Sequence, residues 1–167
     1  MLTSLDSDAT RLERVEETLR RLGFSATLEA ADATDDAWWD GALFDAILLD
    51  APCSGTGVIR RHPDIKALRR AEDIDALVQL QSALLDAQWR RLAPGGRMLY
   101  ATCSILPAEN AEQIAAFIAR TPSARVVPLE AEWGQFAGDG RQLLPMPEGH
   151  DGFFHALLEK LPASEPA

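Results

Sequence analysis

FDAILLDAPCSGTGV, residues 44–58, is the stretch on which the fold turns. Ala46-Ile47-Leu48-Leu49 is an apolar run of strand length, and Asp50 ends it abruptly. Pro52, Cys53 and a glycine-rich turn follow. Residues 98–110 repeat the design: Met98-Leu99-Tyr100 leads into Ala101-Thr102-Cys103-Ser104. The chain's two cysteines lie in these two stretches, each just past the carboxyl end of an expected buried strand. Open parallel α/β sheets bind their ligands at that edge. Two thiols there, one beside a carboxylate, point to covalent chemistry.

Composition bounds the reading. A chain of 167 residues predicts one domain, and 47% hydrophobic residues allow a sizeable core. No run approaches the ~18 apolar residues of a membrane span. Residues 1–10 lack the basic region and apolar core of a signal peptide. Two cysteines without a secretory signal read as reduced thiols of a cytoplasmic protein, not as a disulfide framework. The net charge of −10 argues against sequence-independent binding to nucleic acid. The charge is uneven, because Arg60, Arg61, Lys66, Arg69 and Arg70 stand against a single Asp64, a local +4.

Outward from the two cysteine stretches, strand and helix alternate. Residues 2–5 read as a strand stopped at Asp6, and Ser7 or Asp8 caps a helix with Leu12, Val15, Leu19 and Leu22 at helical spacing. Gly23 suits its end. Residues 26–30 form a short strand ending at Asp32, before an acidic loop with Trp38 and Trp39. Residues 52–65 are too rich in Gly and Pro for regular structure. Residues 73–92 predict a long helix with Ile74, Leu77, Leu80, Leu84 and Leu85 inward. Pro94-Gly95-Gly96 turns the chain into a strand over 97–102. Pro107 suits the first turn of a helix running to about Arg120, with Ala111, Ile114, Phe117 and Ile118 inward. Val126 and Val127 open another strand, and residues 153–158 form the last. This alternation predicts an α/β fold with a mostly parallel sheet.

Asp6, Asp32 and Asp50 end three successive strands. Singly, each reads as a turn former or helix cap. Together they match nucleotide-binding sheets, where an acid ending the second strand takes ribose hydroxyls about 20 residues after a glycine-rich loop. Asp6 fits that role if the glycine loop precedes residue 1. A buried Cys is usually just a small apolar residue. Cys53 and Cys103, however, sit among small polar residues outside the apolar runs, and the helix start after Cys103 could stabilise a thiolate whose ordinary pKa is ~8.5. A cysteine phosphatase needs Arg six positions after its nucleophile, where this chain has Ile59. A P-loop needs Gly-Lys-Ser/Thr, which is absent. A Cys–His hydrolase using His62, His150 or His155 is weaker, since a lone His is more often an ordinary surface or core residue.

DAPCSGTGVIRRHPDIK (residues 50–66), LQSALLDAQWRRLAPGGRMLYATCSILPAEN (80–110) and GHDGFFHALL (149–158) resemble the RNA cytosine-5 methyltransferases, in particular bacterial small-subunit ribosomal RNA enzymes of the Sun (RsmB) type. The resemblance covers residues 6 to about 158. It implies a Rossmann-like S-adenosylmethionine-dependent methyltransferase sheet, mostly parallel with an antiparallel C-terminal strand. Its first strand and glycine-rich loop would precede residue 1. Residues 1–161 would be a partial catalytic domain and 162–167 a frayed tail. The implied reaction transfers a methyl group to carbon 5 of a cytosine in small-subunit ribosomal RNA through a covalent Cys–cytosine adduct. Cys103 would be the nucleophile, Cys53 would release the product, and Asp50 would stabilise the adduct. Asp6, Asp32 and Asp50 would line the S-adenosylmethionine site, with no metal. The basic stretch, with Arg60, Arg61, His62 and Lys66, would hold the RNA backbone. A cytoplasmic enzyme, monomeric when complete, is expected. The alternative is a non-catalytic fragment that binds RNA or a partner.

Overall fold

Strand β1 (Thr3–Asp6), helix α1 (Ala9–Leu22) and strand β2 (Thr27–Ala30) make up the first of two compact units, Met1–Ala42. In this computed structural model, which describes residues 1–162, β1 and β2 pair in parallel from Thr3 opposite Thr27 to Asp6 opposite Ala30. The Asp8 side chain caps α1 by accepting from the Thr10 amide at 2.9 Å. Gly23, at φ 72°, closes the helix in the left-handed conformation that glycine adopts without strain. Of the apolar positions on α1, Leu12 is buried, Val15 and Leu19 are half-buried, and Leu22 is exposed.

The second unit, Leu43–Ala167, carries the cysteine stretches. It runs β3 (Phe44–Asp50), a 3-10 turn (Thr56–Val58), α2 (Ile65–Leu68), α3 (Ala71–Arg91) and β4 (Leu92–Thr102). A second 3-10 turn (Pro107–Glu109), α4 (Ala111–Arg120), β5 (Ala124–Val127), β6 (Gln135–Ala137), β7 (Gly140–Leu143) and β8 (Phe153–Lys160) complete it. The sheet order is β3-β4-β8-β7-β6, and β5 also pairs with β8. β3 and β4 are parallel, with Asp50 opposite Ala101, so the two cysteine loops leave the sheet from one edge. The expected antiparallel C-terminal strand is β8, which lies against β4 on one side and is shared by β5 and β7 on the other. A hairpin absent from the sequence reading, β6–β7, extends the antiparallel side. Residues 163–167 of the expected tail lie outside the described residues.

Alternation along the strands puts Met98, Tyr100 and Thr102 of β4 on one face with Phe154, Ala156 and Leu158 of β8, all buried. Helix α3 packs on β3 and β4, and α4 packs on α3, where Trp89 meets Phe117 edge-on at 5.3 Å. Each such buried large side chain contributes about 1.5–3 kcal/mol relative to exposure.

Three expectations change in detail. Leu80 is 41% exposed, and the neighbouring Gln81 is buried in its place. The stripe that α3 turns inward passes through Gln81, Leu84, Leu85 and Gln88, at helical spacing. β3 is buried on one face, with Leu49 inside and Leu48 67% exposed, because among the described residues it pairs with β4 alone and α3 covers one side. Pro94-Gly95-Gly96 is a bulge within β4 rather than a turn before it. Leu92 pairs with Phe44 but Arg97 with Ala46, so residues 93–96 oppose Asp45 alone. No helix among the described residues is long and apolar enough to cross a membrane.

Candidate active site

The site is built from the loops that follow β3 and β4. The Ala51 amide donates to the Ala101 carbonyl at 2.9 Å, continuing the parallel ladder past the strand end. Beyond it the Gly57 amide donates to the Cys103 carbonyl at 2.9 Å, and the Gly152 amide donates to the Gly57 carbonyl at 2.8 Å. Three loops are thus laced through one glycine. A Cβ on Gly57 would lie 2.2 Å from the Gly152 oxygen and 2.8 Å from the Cys103 oxygen, so no other residue fits without moving backbone.

This lacing brings Cys53 Sγ to 3.4 Å from Cys103 Sγ. Both thiols are free and half-buried. The pair is asymmetric. The Cys53 S–H donating to Cys103 lowers the Cys103 pKa to about 7, against the opposing effects of burial and the charges of Asp50 and Glu109. The same contact, then burial and the Cys103 charge, push Cys53 well above its ordinary range. The contact therefore favours charge on Cys103 and the proton on Cys53. The expected helix start lies further from Cys103 than the sequence suggests. Pro107–Glu109 is a 3-10 turn, Asn110 breaks the backbone at φ −118°, ψ −102°, and α4 begins only at Ala111.

Asp50 ends β3 with an exposed carboxylate, and its charge acts on both Cys103 and His155. His155 sits on β8 opposite Ala101, and burial lowers its pKa. Asp6 and Asp32 lie in the first unit, where each serves a local turn. Asp6 accepts from the Asp8 amide at 2.8 Å and pairs with Arg11 at 3.3 Å. Asp32 Oδ1 accepts from both the amide and the hydroxyl of Thr34 at 2.7 Å, which lowers its pKa. Arg60 and Arg61 converge on Asp151, at 3.6 and 2.6 Å. His62 and Lys66 are exposed beside them in sequence. Among the described residues no group of three His, Cys, Asp or Glu could hold a metal ion.

Beneath the thiols lies a polar network that the sequence reading missed. Glu109 is fully buried. Its Oε1 accepts from the Ser54 amide at 2.8 Å and from Gln81 Nε2 at 3.1 Å. Its Oε2 accepts from the hydroxyls of Ser54, at 2.6 Å, and Ser104. Asn110 accepts from Thr102 Oγ1 at 2.6 Å and donates to the Ser104 carbonyl at 2.9 Å. Gln142 Nε2 donates to the same carbonyl at 3.1 Å. The one available signal was the pair of serines placed directly after the two cysteines, which shows its meaning only once their common partner is found.

Residues 1–159 match the family described as 16S rRNA methyltransferase RsmB/F. The chain is 58% identical over 164 residues to a ribosomal RNA small subunit methyltransferase B of Pseudomonas putida, covering 98% of this chain and 38% of that protein. It is 57% identical over 160 residues to the protein of the same description from Vibrio vulnificus, covering 95% and 36%. It spans little more than a third of the length of these relatives. The crystal structure of NSun6 from Pyrococcus horikoshii with SFG superposes with a TM-score of 0.81 at 29% identity, over 96% of this chain and 41% of that one. With a match over nearly its whole length to one family and relatives of this identity, the chain belongs to the 16S rRNA methyltransferase RsmB/F family.

Proposed function

We propose that this chain carries the catalytic centre of a ribosomal RNA (cytosine-C5) methyltransferase that works through a covalent adduct. The observation that carries the reading is the asymmetric thiol pair, 3.4 Å apart at the carboxyl ends of two adjacent parallel strands. Carbon 5 of cytosine is a poor nucleophile while the ring is aromatic. Addition of a thiolate to carbon 6 makes carbon 5 enamine-like, which is covalent catalysis. Cys103 has the charge for that step. Asp50, exposed at the same edge, is the acid this reading gives to the ring nitrogen that gains electron density. The target base has to leave its stack to reach the edge.

S-adenosylmethionine supplies an electrophilic methyl group, and Asp6, Asp32 and Asp50 are the residues assigned to hold it. The exposed Asp50 and the open Oδ2 of Asp32 fit hydroxyl or amine donors, whereas Asp6 already engages both its oxygens. Release requires a base for the carbon 5 proton. Cys53 is held protonated chiefly by its contact with Cys103. Once Cys103 is bonded to carbon 6 it is a neutral thioether, so that restraint is gone and the Cys53 pKa falls. Cys53 then gives its own proton to solvent and, as a thiolate, takes the proton from carbon 5, and the released electron pair re-forms the C5–C6 double bond as the Cys103 sulfur leaves as a thiolate. Arg60, Arg61, His62 and Lys66 contribute phosphate contacts that position the RNA without reading its sequence.

The test is substitution of each cysteine with small-subunit ribosomal RNA as substrate. Cys103→Ala should abolish both methylation and the covalent RNA adduct, and Cys53→Ala should let the adduct accumulate. The opposite pattern would exchange the two roles. RNA binding with no adduct in any variant would favour the non-catalytic reading.

A further inference from the structure

One buried carboxylate is bonded to the residue after each cysteine. Glu109 Oε2 accepts hydrogen bonds from the hydroxyls of both Ser54 and Ser104, and Oε1 accepts one from the Ser54 amide. Ser54 and Ser104 are themselves 3.2 Å apart and wholly buried. Gln81 of α3 donates to Glu109 and, at 2.9 Å, to the Pro52 carbonyl, which anchors the clamp to the helix under the sheet. Tyr100 fixes the Glu109 backbone by donating to its carbonyl at 2.7 Å. Charge-assisted hydrogen bonds of this kind are the strong ones, and a buried carboxylate with four donors is fully employed.

We propose that Glu109 is the positioning residue of this site, setting the distance between the two thiols by clamping Ser54 and Ser104 onto one carboxylate. Its part in catalysis rests on the roles given to Cys103 and Cys53 above, but its effect on the thiols can be read without RNA. The groups whose charge acts on the pair are Asp50 from β3, Tyr100 from β4, Arg61 from the loop before α2, and Glu109 itself. Gln81, facing from α3, is neutral.

The sign of one measurement separates positioning from plain electrostatics. Glu109 is negative, and its charge raises the Cys103 pKa. If charge were its whole effect, Glu109→Gln would lower the midpoint of Cys103 reactivity. If Glu109 holds the thiols together, its loss removes the Cys53 donor and the midpoint rises from about 7 toward the ordinary value. The experiment is the pH profile of iodoacetamide alkylation of Cys103, followed by peptide mass spectrometry on the full chain. The expected shift in Glu109→Gln is upward by ~1–1.5 units, toward ~8.5. At pH 7 the thiolate fraction then falls from about one half to about 3–9%, and the greater nucleophilicity of the more basic sulfur leaves a net rate loss of about 2–4-fold. In a Cys53→Ala background the same substitution should add no upward shift, since the donor it positions is already gone. An unchanged or lowered midpoint in Glu109→Gln, or a full upward shift without Cys53, would overturn the proposal.

Should Glu109→Gln lose its far-UV circular dichroism, Ser54→Ala and Ser104→Ala carry the same test. Each removes one hydroxyl tie and keeps the carboxylate, so each should raise the midpoint by less, and no rise in either folded variant overturns the proposal equally. A shift seen in a protein that forms no cytosine adduct would leave the positioning role standing and remove the catalytic reading.

Discussion

Cys53 and Cys103 are the same side chain made into different acids by one contact. Each sulfur is half-buried, and burial alone would raise both. The hydrogen bond between them breaks the tie by stabilising charge on Cys103 and the proton on Cys53. This asymmetry has a consequence for stability. From pH 7 to about 8.5 the folded chain has lost the Cys103 proton while an unfolded chain keeps both, so the unfolded state binds more protons and stability rises with pH. Above ~8.5 an unfolded chain loses both while the folded chain keeps the Cys53 proton, so the contribution of the pair falls again. Urea unfolding midpoints from about pH 6.5 to about 9.5 should therefore pass through a maximum near ~8.5. Cys53→Ala should abolish the rising limb, because burial and the charges of Asp50 and Glu109 then leave the Cys103 thiol above its ordinary value in the folded chain. A profile with no maximum in the native chain would contradict the split between the thiols.

At the scale of elements, the thiol pair depends on three loops meeting at Gly57. Gly57→Ala drives a methyl into two backbone carbonyls that cannot swing aside as side chains do. We expect a loss of about 1–3 kcal/mol in urea denaturation, the usual range for overpacking, together with slower alkylation of Cys103 at neutral pH. Gly95→Ala is the control. Gly95 sits at φ 77° in the β4 bulge with open space around it, so strain alone is introduced and thiol reactivity should not change. If Gly57→Ala left both measurements untouched, the loops would not be held as described. The elements that the sequence made legible are those whose apolar runs stop abruptly. Asp50 and Thr102 end β3 and β4 where expected, and their loops bring the two cysteines together. What was illegible is polar and buried. Hydrophobic periodicity put Leu80 inside α3, but Gln81 is the buried residue, because it has two acceptors waiting in the Cys53 loop and at Glu109. Glu109 lies 55 positions from Ser54, and no local pattern announces a hydrogen bond over that separation. The β6–β7 hairpin escaped notice because its strands are too short to show alternation.

At the scale of the whole molecule, the two units are built to very different depths. The second unit has a six-stranded sheet, two packed helices and most of the buried side chains, with Tyr100, Phe117 and Phe154 fully enclosed. The first unit has two strands and one amphipathic helix, and Leu12 is its one buried apolar side chain. A two-stranded pair is below the roughly three strands needed for independent stability, and parallel pairing is slightly the weaker kind. Asp6 and Asp32 therefore stand on the unit with the smaller core and Asp50 on the one with the larger. Native-state hydrogen exchange read by mass spectrometry should show this directly. Amides of β1, β2 and the end of α1 should exchange through local opening, well before those of β4 and β8 around Tyr100 and Phe154, which should wait for global unfolding. Added S-adenosylmethionine should slow exchange in the first unit selectively if Asp6 and Asp32 contact it, since a ligand stabilises only the states that bind it. Equal protection across both units without ligand would show that the first unit draws stability from contacts beyond its own residues, and protection unchanged by ligand would remove Asp6 and Asp32 from the cosubstrate site.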